Sequence, residues 1–196
     1  MRRLVVVAVV LWGIAGLTGC SPGLGNSLPI GAVPTPAVKG SSPGDSPVRI
    51  QSFIDARPAR TVAVGERLIR AEGDVPGKVQ VALSDFLKAN GFRLSAGDSA
   101  SIRGAVLDWG VVVTPGFPSS VVEGNATVEL EAYGIDSTER YVRRYTGNAV
   151  TRHPFLNEEK IRQTMGEAMG YALQAAMEDS RLLDHLRRSV PTMVPW

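Results

Sequence analysis

Strict alternation between Val121 and Tyr133 constrains the fold of this chain more than any other feature. Small or apolar residues occupy one set of positions, and polar residues occupy the other. Successive side chains of a β-strand point to opposite faces, so a period of two predicts a strand with one buried face and one face in water. Antiparallel sheets commonly have this arrangement. The predicted buried set is Val122, Gly124, Ala126, Val128, Leu130 and Ala132.

Two further long strands flank this one in the sequence. The apolar and β-branched run from Ser101 to Val113 precedes it across a loop, Thr114 to Ser120, and the run from Arg140 to Thr151 follows a turn at 134–138. Short connections of this kind join antiparallel neighbours, so the three strands are predicted to form a β-meander. Shorter strands are predicted upstream, at 48–54, 61–64, 67–70 and 92–94.

Helical periodicity appears on both sides of the meander. Between Pro76 and Asn90 the apolar residues recur at helical spacing, and Asn157 followed by two glutamates is typical of a helix start. Residues 180–188 continue as a further helical segment. We therefore predict an α+β fold, with an antiparallel sheet containing the β-meander and two helices packed on one face. The small-residue stripe expected to contact the sheet comprises Ile161, Met165, Ala168, Ala172 and Ala176.

The first twenty residues have the pattern of an export signal. Met1-Arg2-Arg3 is followed by an apolar run from Leu4 to Leu17, which is shorter than the roughly 20 residues that a spanning helix needs. The run ends in Leu17-Thr18-Gly19-Cys20, and Cys20 is the only cysteine in the chain. This ending resembles the lipobox of bacterial lipoproteins. The resemblance implies cleavage before Cys20, which makes residues 1–19 a signal peptide, and lipidation of Cys20 with a diacylglycerol and an acylated new N-terminus. The alternatives are an ordinary signal peptide with a chance cysteine, or an uncleaved segment.

Residues 21–47 are dominated by Ser, Pro and Gly, a composition that buries too little apolar area to offset its ordering entropy. We predict that residues 20–47 are the lipidated cysteine and a tether, none of which joins a core, and that 48–196 form a single α+β periplasmic domain. Cleavage would remove Arg2 and Arg3, which leaves 21 − 2 = 19 basic residues against 19 acidic ones. This balance gives no indication of nucleic-acid binding.

The lipobox, the Pro-rich tether, the helix PGKVQVALSDFLKANGFRL and the block ASIRGAVLDWGVVV…GNATVELEAYG…YVRRYTGNAV resemble the YajG-like bacterial lipoproteins. The resemblance extends over about Val48 to Arg188. It implies an outer-membrane-anchored protein that faces the periplasm and has no established enzymatic activity. It therefore implies no catalytic residues. Ser21 after Cys20 favours the outer membrane, because an aspartate there would resemble an inner-membrane retention signal.

The residues themselves contain no motif for catalysis or for a cofactor. His153 and His185 are the only histidines and lack a second strong ligand at metal spacing, so we predict a turn histidine and a solvated one. Gly77-Lys78 lacks the rest of a phosphate-binding loop. Asp55 and Arg57 are interpreted as a turn pair. Asp108 is interpreted as an acid on the wet face of its strand. We predict no enzyme activity, no cofactor and no metal.

The favoured function is that of an envelope lipoprotein that binds a partner or supports an envelope complex. The alternatives are an auxiliary lipoprotein of an ABC-type transport system, which gene neighbourhood would reveal, and a carrier of lipid or cell-wall fragments, which needs a large apolar cavity between helices and sheet. The possible partner contacts are Phe117 in the Thr114–Ser120 loop and Trp109. Phe117 could instead fold back over the sheet end near Trp109.

Overall fold

The structure, a computed structural model, describes residues 27–34, 46–58, 61–97, 99–134 and 139–187. These residues form eight strands and three helices, which confirms the predicted α+β class. In chain order the elements are β1 Ser27–Pro29, β2 Pro47–Asp55, β3 Thr61–Val64, β4 Arg67–Glu72, α1 Val75–Ala89, β5 Arg93–Leu94, β6 Ala100–Thr114, β7 Ser120–Tyr133, β8 Arg140–His153, α2 Glu158–Glu178 and α3 Ser180–Arg187.

The predicted β-meander is confirmed. β6 and β7 pair antiparallel from Ser101↔Tyr133 to Thr114↔Val121, and β7 pairs antiparallel with β8 along its full length. The even-numbered residues of β7 from 122 to 132 are buried, as the alternation predicts. The meander therefore has one face covered by helices and one open face.

The prediction of a purely antiparallel sheet is wrong outside the meander. β6 pairs in parallel with β2 over its first half and with β3 near its end, while β1 is parallel to β4 and β5 to β2. The sheet is therefore mixed. Parallel neighbours require a long crossover, and the connections from β2 and β3 to β6 contain α1. The side-chain period identifies a strand, but it does not encode which strand lies beside it or in which direction.

Both predicted helix starts are confirmed by their capping contacts. The Asp74 side chain accepts a hydrogen bond from the backbone N of Gly77 at 2.9 Å, with Pro76 in the first turn. The Asn157 side chain accepts one from the backbone N of Lys160 at 2.9 Å. Each cap satisfies a backbone donor that the helix itself leaves unpaired.

The packing has one more helix than the predicted two. α3 follows α2 directly and buries Leu182, Leu183 and Leu186 against the remainder of the core. Three leucines on one side of a two-turn helix stabilise its position in the packing although so short a helix has little stability of its own. The further helical segment expected over 180–188 is thus a third packed helix.

α2 lies unusually close to the sheet. A Cβ added to Gly124 would lie 2.7 Å from the carbonyl O of Thr164, and one added to Gly147 would overlap the backbone of Ala168 and Ala172. The predicted small-residue stripe of α2 is fully buried, which confirms its role. Glycines on the strands and alanines on the helix together let two backbones approach each other, so the contact tolerates no larger side chain.

The prediction that nothing in residues 21–47 joins the core is wrong for residues 27–34, which we call the N-terminal segment. Leu28 and Ile30 are each only 2% exposed. β1 adds a strand beside β4, and the chain then crosses the outer side of α2, where Gly31 lies against Arg162 and Gly166 against Ala32. Glycines again permit the close approach, so a Pro- and Gly-rich composition does not prevent burial here.

The predicted start of the domain is also one or two residues late, since Ser46 is buried and β2 begins at Pro47. The predicted signal peptide, Cys20 and the tether residues 21–26 and 35–45 lie outside the described residues. So do residues 135–138 of the predicted turn and residues 188–196.

Candidate functional site

Trp109 belongs to the core and is not a surface contact. It is 1% exposed, and its indole Nε1 donates a hydrogen bond to the backbone O of Met165 on α2 at 2.7 Å. The pairing of β6 shifts by one residue between Val106 and Asp108, which places Trp109 on the covered face and leaves Asp108 exposed. Its burial is incompatible with the predicted direct contact to a partner, because a partner would not reach the ring.

The turn pair Asp55–Arg57 is structural, as its interpretation predicts. Arg57 Nε donates to Asp55 Oδ1 at 2.8 Å, and Arg57 Nη1 lies 3.3 Å from the backbone O of Trp109. The Arg57 side chain is almost fully buried. A buried guanidinium needs such partners, and here they fasten the end of β2 to β6.

Phe117 has the opposite environment. Its side chain is 100% exposed at the tip of the β6–β7 loop, so the alternative that it folds back over Trp109 is wrong. Pro115 and Pro118 flank it, and Pro115 lies beside Gly65 of the β3–β4 turn. The prolines limit the conformations of the loop, and Phe117 is thereby held away from the domain.

Phe155 is a second exposed aromatic residue at the same end of the sheet, and it was not among the residues predicted from the sequence. It follows β8 directly and is 88% exposed. β8 ends beside the start of β7, in the pair Ser120↔His153, so the β8–α2 connection adjoins the β6–β7 loop. The sequence feature that could have indicated Phe155 is its position directly after His153-Pro154, where the strand ends. We call Phe117 and Phe155 the aromatic tip.

Asp179 joins α2 and α3 to the edge strand β8. Its Oδ2 accepts hydrogen bonds from the hydroxyls of Tyr141 and Tyr145, each at 2.7 Å, and from Arg143 at 3.0 Å. Burial opposes ionisation, but the tyrosine hydroxyls, the backbone N of Arg181 and the Arg143 charge together lower the pKa of Asp179. Burial is also the main reason that the pKa of Tyr145 is raised. These groups hold secondary structure elements together.

Glu131 is the best-buried acid of the open sheet face. Arg103 and Arg140, from the strands on either side, both form ion pairs with its carboxylate. The hydrogen bond from Arg103 lowers the pKa of Glu131 to about 2 against the opposing effect of burial, with Tyr133 and Arg140 acting in the same direction. The cluster therefore connects three neighbouring strands through one charged side chain.

Neither histidine has the surroundings of a metal ligand. His153 Nε2 lies 3.0 Å from Thr151 Oγ1 at the end of β8, where the turn histidine was predicted. His185 is less exposed than predicted, since its ring packs beside Tyr141 and its side chain is only 11% exposed. Within the ranges that the structure describes, no three His, Cys, Asp or Glu side chains gather closely enough to share a metal ion.

These features define a class of protein: an α+β domain whose mixed sheet is covered by helices on one face. The model of the Lipoprotein_16 family, described as uncharacterized lipoprotein, matches residues 41–187. The chain belongs to this family, which is the YajG family that the sequence resemblance indicates. Family membership associates the chain with the cell envelope. No curated protein sequence matches the chain.

The chain is similar to solved structures at low sequence identity. Protein XCC0632 from Xanthomonas campestris, assigned to family DUF330, has a TM-score of 0.54 at 7% identity, over 77% of this chain and 91% of that one. A minor lipoprotein from Acinetobacter baumannii has a TM-score of 0.40 at 14% identity, over 68% and 91% of the two chains. The first similarity supports the fold alone. Among the described helices, none combines the length and the apolar composition needed to cross a bilayer.

Proposed function

We propose that this chain is a lipid-anchored envelope lipoprotein, attached through Cys20 to the outer membrane and facing the periplasm, with a non-catalytic role in binding a partner or supporting an envelope complex. The observation that carries the proposal is the N-terminal segment. It brings the folded domain to within seven positions of Cys20 (27 − 20) and secures it there through Leu28 and Ile30. The domain is thus held close to its point of attachment.

The pKa values and the bonding partners of two carboxylates support a non-catalytic role. Asp179 and Glu131 have lowered pKa values, and each holds several secondary structure elements together through its hydrogen bonds and ion pairs. A catalytic acid or base at neutral pH needs a pKa near 7 and a position in a cleft. A carboxylate whose pKa is lowered by positive charges and hydrogen-bond donors is typical of a structural ion pair.

The carrier alternative is not favoured by the helix–sheet packing. A carrier needs an apolar chamber, and the predicted place for it was between the helices and the sheet. Gly124 and Gly147 bring α2 into backbone contact with β7 and β8, so that interface contains no room for a lipid chain. The transport alternative stays a prediction that gene neighbourhood would test.

Among the described residues, two surfaces that a partner could contact are the open sheet face and the aromatic tip. The open face presents paired charges, such as Arg144 Nε with Glu129 Oε2 at 2.8 Å, and exposed apolar residues such as Val150, which is 58% exposed. The predicted protein contact at Phe117 stays a prediction: an exposed aromatic residue on a restrained loop loses little entropy when it is bound, whether by a protein or by a membrane.

The test combines lipid labelling with crosslinking in cells. The wild-type chain should incorporate a fatty-acid analogue, fractionate with the outer membrane and give discrete crosslinked species. Cys20→Ser should lose the label and the membrane association, while Ser21→Ala, which leaves the cysteine intact, should keep both. Label retained on Cys20→Ser would contradict the anchor. Absence of any specific crosslinked partner would contradict the partner-binding role.

A further inference from the structure

We propose that the aromatic tip contacts the lipid bilayer, so that Phe117 and Phe155 insert among the lipids of the membrane that holds the Cys20 anchor. This inference rests on the proposed lipid attachment and adds an orientation to it. The domain would stand on the membrane with the tip downwards and the opposite end of the sheet directed into the aqueous compartment.

Both aromatic side chains lie at one end of the domain. Phe117 follows β6 and Phe155 follows β8, and the antiparallel pairs Thr114↔Val121 and Ser120↔His153 place these two strand ends at the same edge of the meander. With exposures of 100% and 88%, they are the two most exposed of the large apolar side chains in the described residues. Neither has a polar atom that would favour water.

The strand directions show from which side the chain reaches β1. β3 runs parallel to β6, and the backbone N of Gly65 at its end donates to the O of Val113 at 2.8 Å, so the β3–β4 turn also lies at the tip. β4 runs away from this turn, and β1 is parallel to β4. The chain therefore enters β1 from the tip side.

The short length of chain between Cys20 and Ser27 limits how far the anchor can lie from the domain. Ser27 pairs with Arg70, three residues beyond the first residue of β4, which places Ser27 about 10 Å from the tip end of the strands. Seven residue steps from Cys20 span at most about 25 Å. The tip lies well within that reach.

The same length excludes the opposite end of the sheet as the point of attachment. Ser27 is level with Thr61, because both pair with Arg70. Thr61 precedes the pair Ala63↔Val112 by two residues, which corresponds to Gly110 on β6. Ten residues separate Gly110 from Ala100, or about 33 Å of strand, which is more than the seven steps can cover. The anchored end of the domain is therefore the end that presents the two phenylalanines.

The chemistry of the tip suits a lipid surface. Phenylalanine has only apolar atoms to bury among acyl chains, and the neighbouring prolines reduce the backbone freedom that insertion would remove. Several acyl chains on one cysteine are enough for stable attachment, but they leave the domain free to rotate about the anchor. The aromatic tip would limit that rotation.

The test places a fluorophore at the tip of the lipidated protein in vesicles. The variants Phe117→Cys and Phe155→Cys are purified in lipidated form, labelled with the environment-sensitive dye NBD and reconstituted in vesicles of phosphatidylethanolamine and phosphatidylglycerol. Lipidation occupies the sulfur of Cys20, the only native cysteine, so the dye labels the new thiol alone. Val81→Cys is the matched control, since Val81 is apolar and 64% exposed on α1.

The expected result is a blue-shifted emission at positions 117 and 155 and strong quenching by lipids that carry a spin label on the acyl chain, with neither effect at position 81. Protein that floats with the vesicles but shows the same emission at all three positions overturns the lipid contact and leaves the anchor intact. Protein that does not float with the vesicles overturns the proposed attachment and the inference together. Shielding of the dye in native envelopes but not in vesicles assigns the tip to a protein partner and overturns the lipid assignment.

Discussion

The two faces of the meander show two different ways of holding a sheet. On the covered face, Gly124 and Gly147 let the backbone of α2 approach the strands, and the contact depends on the absence of side chains. On the open face, charged side chains such as Glu131 and Arg103 link neighbouring strands in partial contact with water. On the covered face, an added methyl group should lower the stability strongly, because no space is left for it. On the open face, the loss of one charge should lower the stability less, because water screens the ion pair.

The N-terminal segment packs on the outer side of α2. Its removal should have the largest effect on the free energy of unfolding. A soluble chain that begins at residue 46 lacks the buried side chains of Leu28 and Ile30, so it should be destabilised by about 5 kcal/mol or more relative to one that begins at residue 27. Urea unfolding monitored by circular dichroism would measure the difference. Equal unfolding midpoints would show that the segment contributes no stability.

Paired glycine substitutions should separate the two faces. Gly147→Ala places a methyl group against the backbone of α2 and should destabilise the domain by about 3 kcal/mol. Gly110→Ala is the matched control on β6, because its Cβ would lie 3.5 Å from Asn125 Oδ1, in ordinary contact. Its unfolding free energy should stay within about 0.5 kcal/mol of the wild type. A similar cost for both variants would refute the difference between the faces.

Glu131→Gln should have a smaller and pH-dependent effect. The folded pKa of Glu131 is lowered to about 2 from an ordinary value of 4.5, so its contribution to stability is complete above about pH 4.5 and is lost as the pH falls through that value towards 2. At neutral pH the variant should be less stable by about 1 kcal/mol, since both arginine partners are half exposed.

Unfolding curves at a series of pH values provide the check on Glu131. The difference between wild type and Glu131→Gln should shrink from pH 5 to pH 2. Glu129→Gln, which removes the more exposed pair with Arg144, is the control and should cost less. A difference for Glu131→Gln that does not change with pH would be inconsistent with a lowered pKa.

Phe117→Ala should have the smallest effect on stability. The side chain is fully exposed, so its truncation removes no packing and should change the unfolding free energy by less than about 0.5 kcal/mol. Trp109→Phe, which removes the hydrogen bond to Met165, should cost more and provides the contrast. A loss of several kcal/mol for Phe117→Ala would mean that the loop covers the sheet end after all.

The position of Trp109 shows where sequence patterns stop being informative. The strand from 101 to 113 is recognisable from its composition, but the one-residue shift after Val106 decides which of its side chains face α2. A bulge reverses the alternation of buried and exposed side chains, and no single residue of the sequence marks its position. From the sequence, Trp109 and Phe117 were both predicted as possible partner contacts. In the fold, Trp109 is buried and Phe117 is fully exposed.

The sequence by itself determined the types and approximate limits of most elements, the meander and the Asn157 cap of α2. These features depend on local periodicity, on short turns and on side chains within a few residues of the backbone groups that they satisfy. The export signal ending at Cys20 stays a prediction. The tertiary structure alone decided the parallel pairing around β6, the burial of residues 27–34 and the meeting of Phe117 with Phe155 at one end. Those outcomes depend on which distant backbones approach each other, and the pattern of side chains along one strand or helix carries no information about its neighbour.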